Sequence, residues 1–160
     1  MMRRAIYAGT FDPITLGHMD IVERGTEIFG EVILAVAVEP PKDTLFNLEE
    51  RLRLAQAACR HLRNIKVESF DGLLVAYAKR RGAGVLLRGL RAYSDFEYEF
   101  QMALTNRKLD PDVETLFMMP NEIHSYVSSS TVRQVARLGG DISEFVPRVV
   151  AHAIRKRYSR

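Results

Sequence analysis

Short apolar stretches alternate with longer stretches of helical repeat along the whole chain. Residues 5–8, 32–38, 65–67, 85–87 and 113–119 read as five strands. Several are apolar without alternation, the pattern of strands covered on both faces of a parallel sheet. Between them, apolar positions recur every three or four residues. Ile21, Val22, Gly25, Ile28 and Phe29 form one stripe, with Gly30 as its expected stop. Asn47 and Glu50 have capping-box spacing beside the stripe Leu48, Leu52, Ala55, Cys59 and Leu62. Ser94 and Glu97 repeat that signal around Phe96, Phe100, Ala103 and Leu104. Two last helices are expected after Ser128 and Ser143, separated by Gly139-Gly140. This order predicts an α/β protein: a Rossmann-like open parallel five-stranded sheet with helices on both faces and right-handed crossovers. No repeat or linker-like run divides residues 1–160, so one domain is expected. Ligands of such sheets lie beyond the carboxyl ends of the strands, where strand order reverses. The loops that follow strands therefore carry the chemistry.

Composition narrows the classes. With 47% apolar and 27% charged residues the chain is globular in character. A net charge of +3 favours anionic ligands such as phosphates. It is too weak to indicate nucleic acid, and no interleaving of aromatic and basic residues supports that class. Cys59 is the sole cysteine, which excludes an internal disulfide and reads as a small core residue. The longest unbroken apolar run, residues 32–38, has the length of a strand, so no membrane partner is expected. The apolar run after Arg3-Arg4 stops at Gly9, too early for an export signal, and a cytoplasmic location is expected. Arg155-Lys156-Arg157 with Arg160 read as cations complementing the end of the last helix.

The loop after the first strand runs Gly9-Thr10-Phe11-Asp12-Pro13-Ile14-Thr15-Leu16-Gly17-His18. Gly9 permits close backbone approach, and Gly17 clears space at a helix start that favours an anion. His18 can donate to a phosphoryl oxygen as charge builds there. Alone, His18 would read as a polar residue of the first helical turn. The run around it matches neither a Walker loop nor a GxGxxG fingerprint. Asp12 is expected to stabilise the turn. After the fourth strand, Arg88 and Arg91 flank Gly89-Leu90; they suit bidentate phosphate contacts, or else surface ion pairs with Asp95 or Glu97. Ser128-Ser129-Ser130-Thr131 open a helix, where one hydroxyl caps and the others can cradle a phosphate. No His/Asp/Glu cluster has metal-ligand spacing.

The T-x-G-H form resembles the nucleotidyltransferase superfamily related to class I aminoacyl-tRNA synthetases. Within it, residues 4–18, Leu87-Arg-Gly-Leu-Arg91, Asp95-Phe-Glu-Tyr-Glu99 and Val127-Ser-Ser-Ser130 are similar to the bacterial phosphopantetheine adenylyltransferases. The spacing agrees from about Arg4 to the last helix. The resemblance implies reversible transfer of the adenylyl group of ATP to 4′-phosphopantetheine, giving dephospho-coenzyme A and pyrophosphate. It implies that His18 stabilises the transition state, with Lys42 and Arg91 as further catalytic residues. Thr10, Lys42, Leu74 and Arg88 would hold the acceptor. Thr10, Phe11, His18, Gly89, Leu90, Arg91 and Glu99 would hold ATP, together with His124, Ser125, Tyr126, Val127, Ser128, Ser129 and Ser130. The implied cofactor is Mg2+, held by ATP phosphates and water rather than by side chains. Feedback by coenzyme A and a homohexamer are implied as well. Departures are few: Ala8 stands where proline is common, Glu39-Pro40-Pro41-Lys42 replaces asparagine-proline-x-lysine, and His124 and Tyr126 replace other aromatic residues. Relatives that use nicotinamide mononucleotide or transfer cytidylyl groups usually carry histidine where this chain has Thr15.

Overall fold

The first apolar run forms β1 (Arg4–Gly9), in which residues 5–8 are all buried. A strand with no polar face belongs inside a sheet, and β1 is the central strand of five. The computed structural model describes residues 3–40, 43–91 and 96–159. After β1 come α1 (Leu16–Ile28), β2 (Glu31–Ala37), α2 (Leu48–Ala58), β3 (Ile65–Phe70), α3 (Leu74–Arg80) and β4 (Val85–Gly89). Then follow α4 (Phe96–Leu109), β5 (Glu114–Met118), a 3-10 turn (Glu122–His124), α5 (Ser129–Arg137) and α6 (Arg148–Tyr158). The strand order is β3-β2-β1-β4-β5 and every neighbouring pair is parallel. Order therefore reverses between β1 and β4. The segments leaving these two strands, from Gly9 and from Gly89, open the crevice where such sheets bind ligands.

Alternation along β1 divides the core. Ala5 and Tyr7 join a cluster with Ile21 of α1, Ala55 of α2, Val132 of α5 and Val150 and Ile154 of α6. Ile6 and Ala8 face the other way, toward Val75 and Ala78 of α3. The sheet is thus covered on both faces, as the unalternating runs predict. Gly25 lets α1 lie close to the sheet: a Cβ there would come within 3.1 Å of Leu87 Cδ1. Cys59 is buried in the same cluster, and burial, then Glu23, pushes its thiol pKa up to about 12. Among the described residues no helix is long and apolar enough to cross a membrane.

Three expectations need correction. Ile28 is 65% exposed, and α1 ends through the extended Phe29, whose N–H reaches Gly25 O, rather than through a left-handed Gly30. The last helix starts after Pro147, not Ser143, because Ser143 is drawn back by Asp141, which accepts from both its N–H and its hydroxyl. No residue described in α4 is buried, and Phe96, Phe100 and Leu104 face outward. This helix lies against β5, an edge strand that offers only a narrow surface to cover. Ser94, the cap expected for it, lies outside the described residues.

Candidate active site

The loop leaving β1 is held from several sides. Phe11 has a left-handed backbone (φ 50°), uncommon for a residue with a side chain. Its buried ring meets Tyr7 and His18 edge-on, with centroids 5.4 and 5.0 Å away. Asp12, 2% exposed, accepts from Leu45 N (2.7 Å) and Phe46 N (2.9 Å), tying this loop to the one after β2. From α2, the buried guanidinium of Arg51 donates to Thr10 O and Ala37 O, both at 2.9 Å, and to Phe46 O at 3.2 Å. From α5, Ser129 Oγ donates to Pro13 O (2.7 Å) and Arg133 to Asp12 O (2.6 Å). A strained residue persists where its surroundings over-determine it, and these contacts supply that constraint.

His18 is fixed by the start of α1. Thr15 caps the helix and its backbone N–H donates to His18 Nδ1 at 3.0 Å, while His18 N–H points to Thr15 Oγ1 at 3.3 Å. A backbone N–H can only donate, so Nδ1 is the acceptor and the neutral ring carries its proton on Nε2. Removal from water, then the charges of Arg91 and Arg88, lower its pKa to about 3. His18 is therefore a neutral donor at the positive end of a helix, suited to an anionic oxygen.

Around it lies a cavity of about 230 Å³ at the switch point. Of the residues singled out from sequence, Thr10, Phe11, His18, Arg88, Gly89, Arg91, Glu99, Val127 and Ser129 line it. Among the described residues Arg88 does not pair with Glu97, and Asp95 lies outside them. The fork of Arg88 meets Glu99 through Nε (2.9 Å) and Nη2 (2.6 Å), and Nη1 reaches Ala8 O (3.1 Å). Burial opposes the charge of Arg88, but the bonds to Glu99 outweigh it and raise its pKa. Arg91 donates to Val127 O at 3.0 Å.

Other expected residues lie outside this wall. Leu90 N donates to Met118 O, continuing the sheet. His124 belongs to the 3-10 turn, and its carbonyl would come within 3.3 Å of a Cβ on Gly17, so glycine permits that approach. Ser125 Oγ turns back to Glu122 O, and Tyr126 is 57% exposed with its ring edge on Phe145. Ser128 is the N-cap of α5, and Ser130 Oγ lies 3.0 Å from its hydroxyl. One serine caps while Ser129 faces the cavity. Leu74 lines an adjoining hollow with Leu86, Tyr98, Met102 and Ala103, which shares Arg88 and Glu99 with the main cavity. Lys42 lies outside the described residues.

Sequence reasoning passed over Tyr7, Arg51 and Arg133. Tyr7 sits within an apolar strand and reads as core. Arg51 shares the stripe of Leu48 and Ala55, and a charge on an apolar stripe was the available signal. Arg133 follows Ser129 by four residues, one helical turn along the same face. Both carboxylates at the cavity are engaged, Asp12 by two backbone N–H groups and Glu99 by Arg88. Among the described residues no group of three or more His, Cys, Asp or Glu is arranged to hold a metal.

Residues 6–135 match the cytidylyltransferase-like protein family. Among solved structures, a Vibrio parahaemolyticus protein described as a nicotinate-nucleotide adenylyltransferase superposes with a TM-score of 0.71. The match covers 96% of this chain and 99% of that one at 18% identity, a likeness of fold.

Proposed function

Since this chain belongs to the cytidylyltransferase-like family of the nucleotidyltransferase superfamily, we propose a specific reaction within that class. It transfers the adenylyl group of ATP to 4′-phosphopantetheine, giving dephospho-coenzyme A and pyrophosphate. The observation that carries this reading is the anchored, neutral His18 facing a switch-point cavity beside Arg88 and Arg91. An oxygen of the acceptor phosphate attacks the α-phosphorus. The bond from that phosphorus to the α–β bridging oxygen breaks, and its electron pair leaves with pyrophosphate. No covalent bond to the protein is needed, only alignment and neutralisation of charge on the phosphoryl oxygens. His18 Nε2–H donates to an α-phosphate oxygen. Arg91 and the start of α5 face the triphosphate, with Ser129 on the cavity wall. Arg88 and Thr10 face the acceptor phosphate, and Lys42 joins them by resemblance.

The hollow at Leu74 favours this acceptor. It is largely apolar and continues from the shared Arg88, which suits a phosphate followed by a long, narrow arm. Magnesium enters with ATP, and because Asp12 and Glu99 are engaged we assign it phosphate and water ligands. By the same resemblance we assign a homohexamer, feedback by coenzyme A and a cytoplasmic location. The outward Phe96, Phe100 and Leu104 of α4 suit a face covered by other copies.

The test is incubation with ATP, magnesium and 4′-phosphopantetheine, following pyrophosphate and identifying the product by mass. Parallel reactions contain nicotinamide or nicotinate mononucleotide, or CTP with glycerol 3-phosphate. Dephospho-coenzyme A in the first reaction alone is expected. Product only in another keeps the family and overturns the acceptor.

A further inference from the structure

Tyr7 is 5% exposed, on the α1 side of β1. Its ring is set against Phe11 and lies 6.2 Å, centroid to centroid, from His18. The side chain reaches the cavity wall, where its oxygen would lie 3.6 Å from a Cβ placed on Gly89. Among the described residues, no hydrogen bond to this hydroxyl is present. A phenylalanine would fill the same space against Phe11 and Ile21. The hydroxyl adds a polar atom that opens onto the cavity, where only water or a ligand can bind it. Burial raises the phenol's pKa, outweighing Arg88 and Arg91, so the group is a neutral O–H.

We propose that the Tyr7 hydroxyl is a ligand-binding group that hydrogen-bonds a sugar or phosphate oxygen of the bound nucleotide between His18 and Gly89. The proposal rests on the ATP reading above. The sheet itself selects the nucleotide over the acceptor. Leu86, which lines the acceptor hollow, belongs to the α3 side, whereas Tyr7 points to the α1 side. The arm of an acceptor seated in the hollow is thus separated from Tyr7 by the strands, and only its phosphate, at Arg88, reaches the cavity that Tyr7 lines.

The test is Tyr7→Phe in the full chain, with three readouts: melting of the free protein, affinity for magnesium-ATP, and affinity for 4′-phosphopantetheine. Melting is expected to stay at the wild-type temperature, since no protein hydrogen bond is lost. Affinity for ATP should fall about 3- to 10-fold, the effect of one hydrogen bond, with the acceptor unaffected. Equal ATP affinity in wild type and variant overturns the proposal and leaves the nucleotide reading standing. A lower melting temperature with equal losses for both ligands also overturns it, in favour of a structural role. Failure of the wild type itself to bind ATP removes the nucleotide reading, and this proposal with it.

Discussion

Lowering the pH should leave His18 uncharged where an ordinary histidine is almost fully protonated. Two features act in the same direction. Thr15 N–H occupies Nδ1 and requires a lone pair there, and the low-water site beside Arg91 and Arg88 disfavours a cation. With a pKa of about 3, roughly 0.3% of the ring is protonated at pH 5.5, against roughly 90% for a free histidine. Nitrogen NMR of the ligand-free protein reads this directly, with His18 among four histidines assigned by His18→Gln. The expected spectrum shows a neutral ring protonated on Nε2, unchanged from pH 8 to 5.5. A titration midpoint between pH 5.5 and 7.5, or a proton on Nδ1, refutes the reasoning.

The same shift has a consequence for stability. Below its ordinary pKa the unfolded chain protonates this residue and the folded protein does not, so acid favours unfolding. The contribution is lost as pH falls from about 6.5 toward 3. Between pH 7 and 5.5 it amounts to about 1.3 kcal/mol, a figure set by the unfolded pKa for any folded value well below 5. Urea titrations of wild type and His18→Gln at both pH values isolate it as a difference of differences. Identical pH dependence in the two proteins would count against a neutral, sequestered His18.

Three further outcomes follow from the contacts around the loop. Asp12→Ala strips the acceptor from Leu45 N and Phe46 N and should cost about 3 kcal/mol, seen as a Tm roughly 10 °C lower; an unchanged Tm would show that the two N–H groups find other partners. Arg51→Met keeps most of the apolar stem but leaves three carbonyls without their donor, for a loss of about 2–4 kcal/mol in urea titration and weaker ATP binding. Glu99→Gln weakens the hold on Arg88 and should cost about 1–2 kcal/mol while raising the acceptor KM more than it lowers kcat; unaltered acceptor kinetics would separate Arg88 from acceptor binding.

The five strands and the loop at His18 were legible in the sequence for different physical reasons. Strands buried on both faces leave apolar runs, and those runs located β1, β2 and β4 to within one or two residues. The helix cap at Asn47 is local chemistry that spacing reveals, whereas the hydroxyl cluster at 128–131 announced a cap and the fold assigns it to Ser128. What stayed hidden depends on contacts between distant segments. Helical periodicity identified an apolar side of α4 but says nothing of what covers it, and within this chain that side is exposed. In β1, Tyr7 is indistinguishable from its apolar neighbours until the fold places its oxygen opposite Gly89.

Charge shows the limit most clearly. From sequence, Arg88 and Arg91 are the visible cations for a phosphate, and Arg51 is one more charged residue on a helix. In the folded protein Arg88 has its fork on Glu99, so part of its field is cancelled before any ligand arrives. Arg51, by contrast, is held by carbonyls of Thr10, Ala37 and Phe46, and among the described residues no carboxylate lies within ion-pair distance of it. Burial lowers its pKa, with Asp12 partly offsetting that, yet a guanidinium remains charged. A positive charge therefore lies beneath the backbone of the loop that would receive phosphate, screened from water and fixed in place. Hydrogen bonds to carbonyls orient such a cation without neutralising it, which makes Arg51 both a clamp on the loop and a standing source of the field that draws an anion to it.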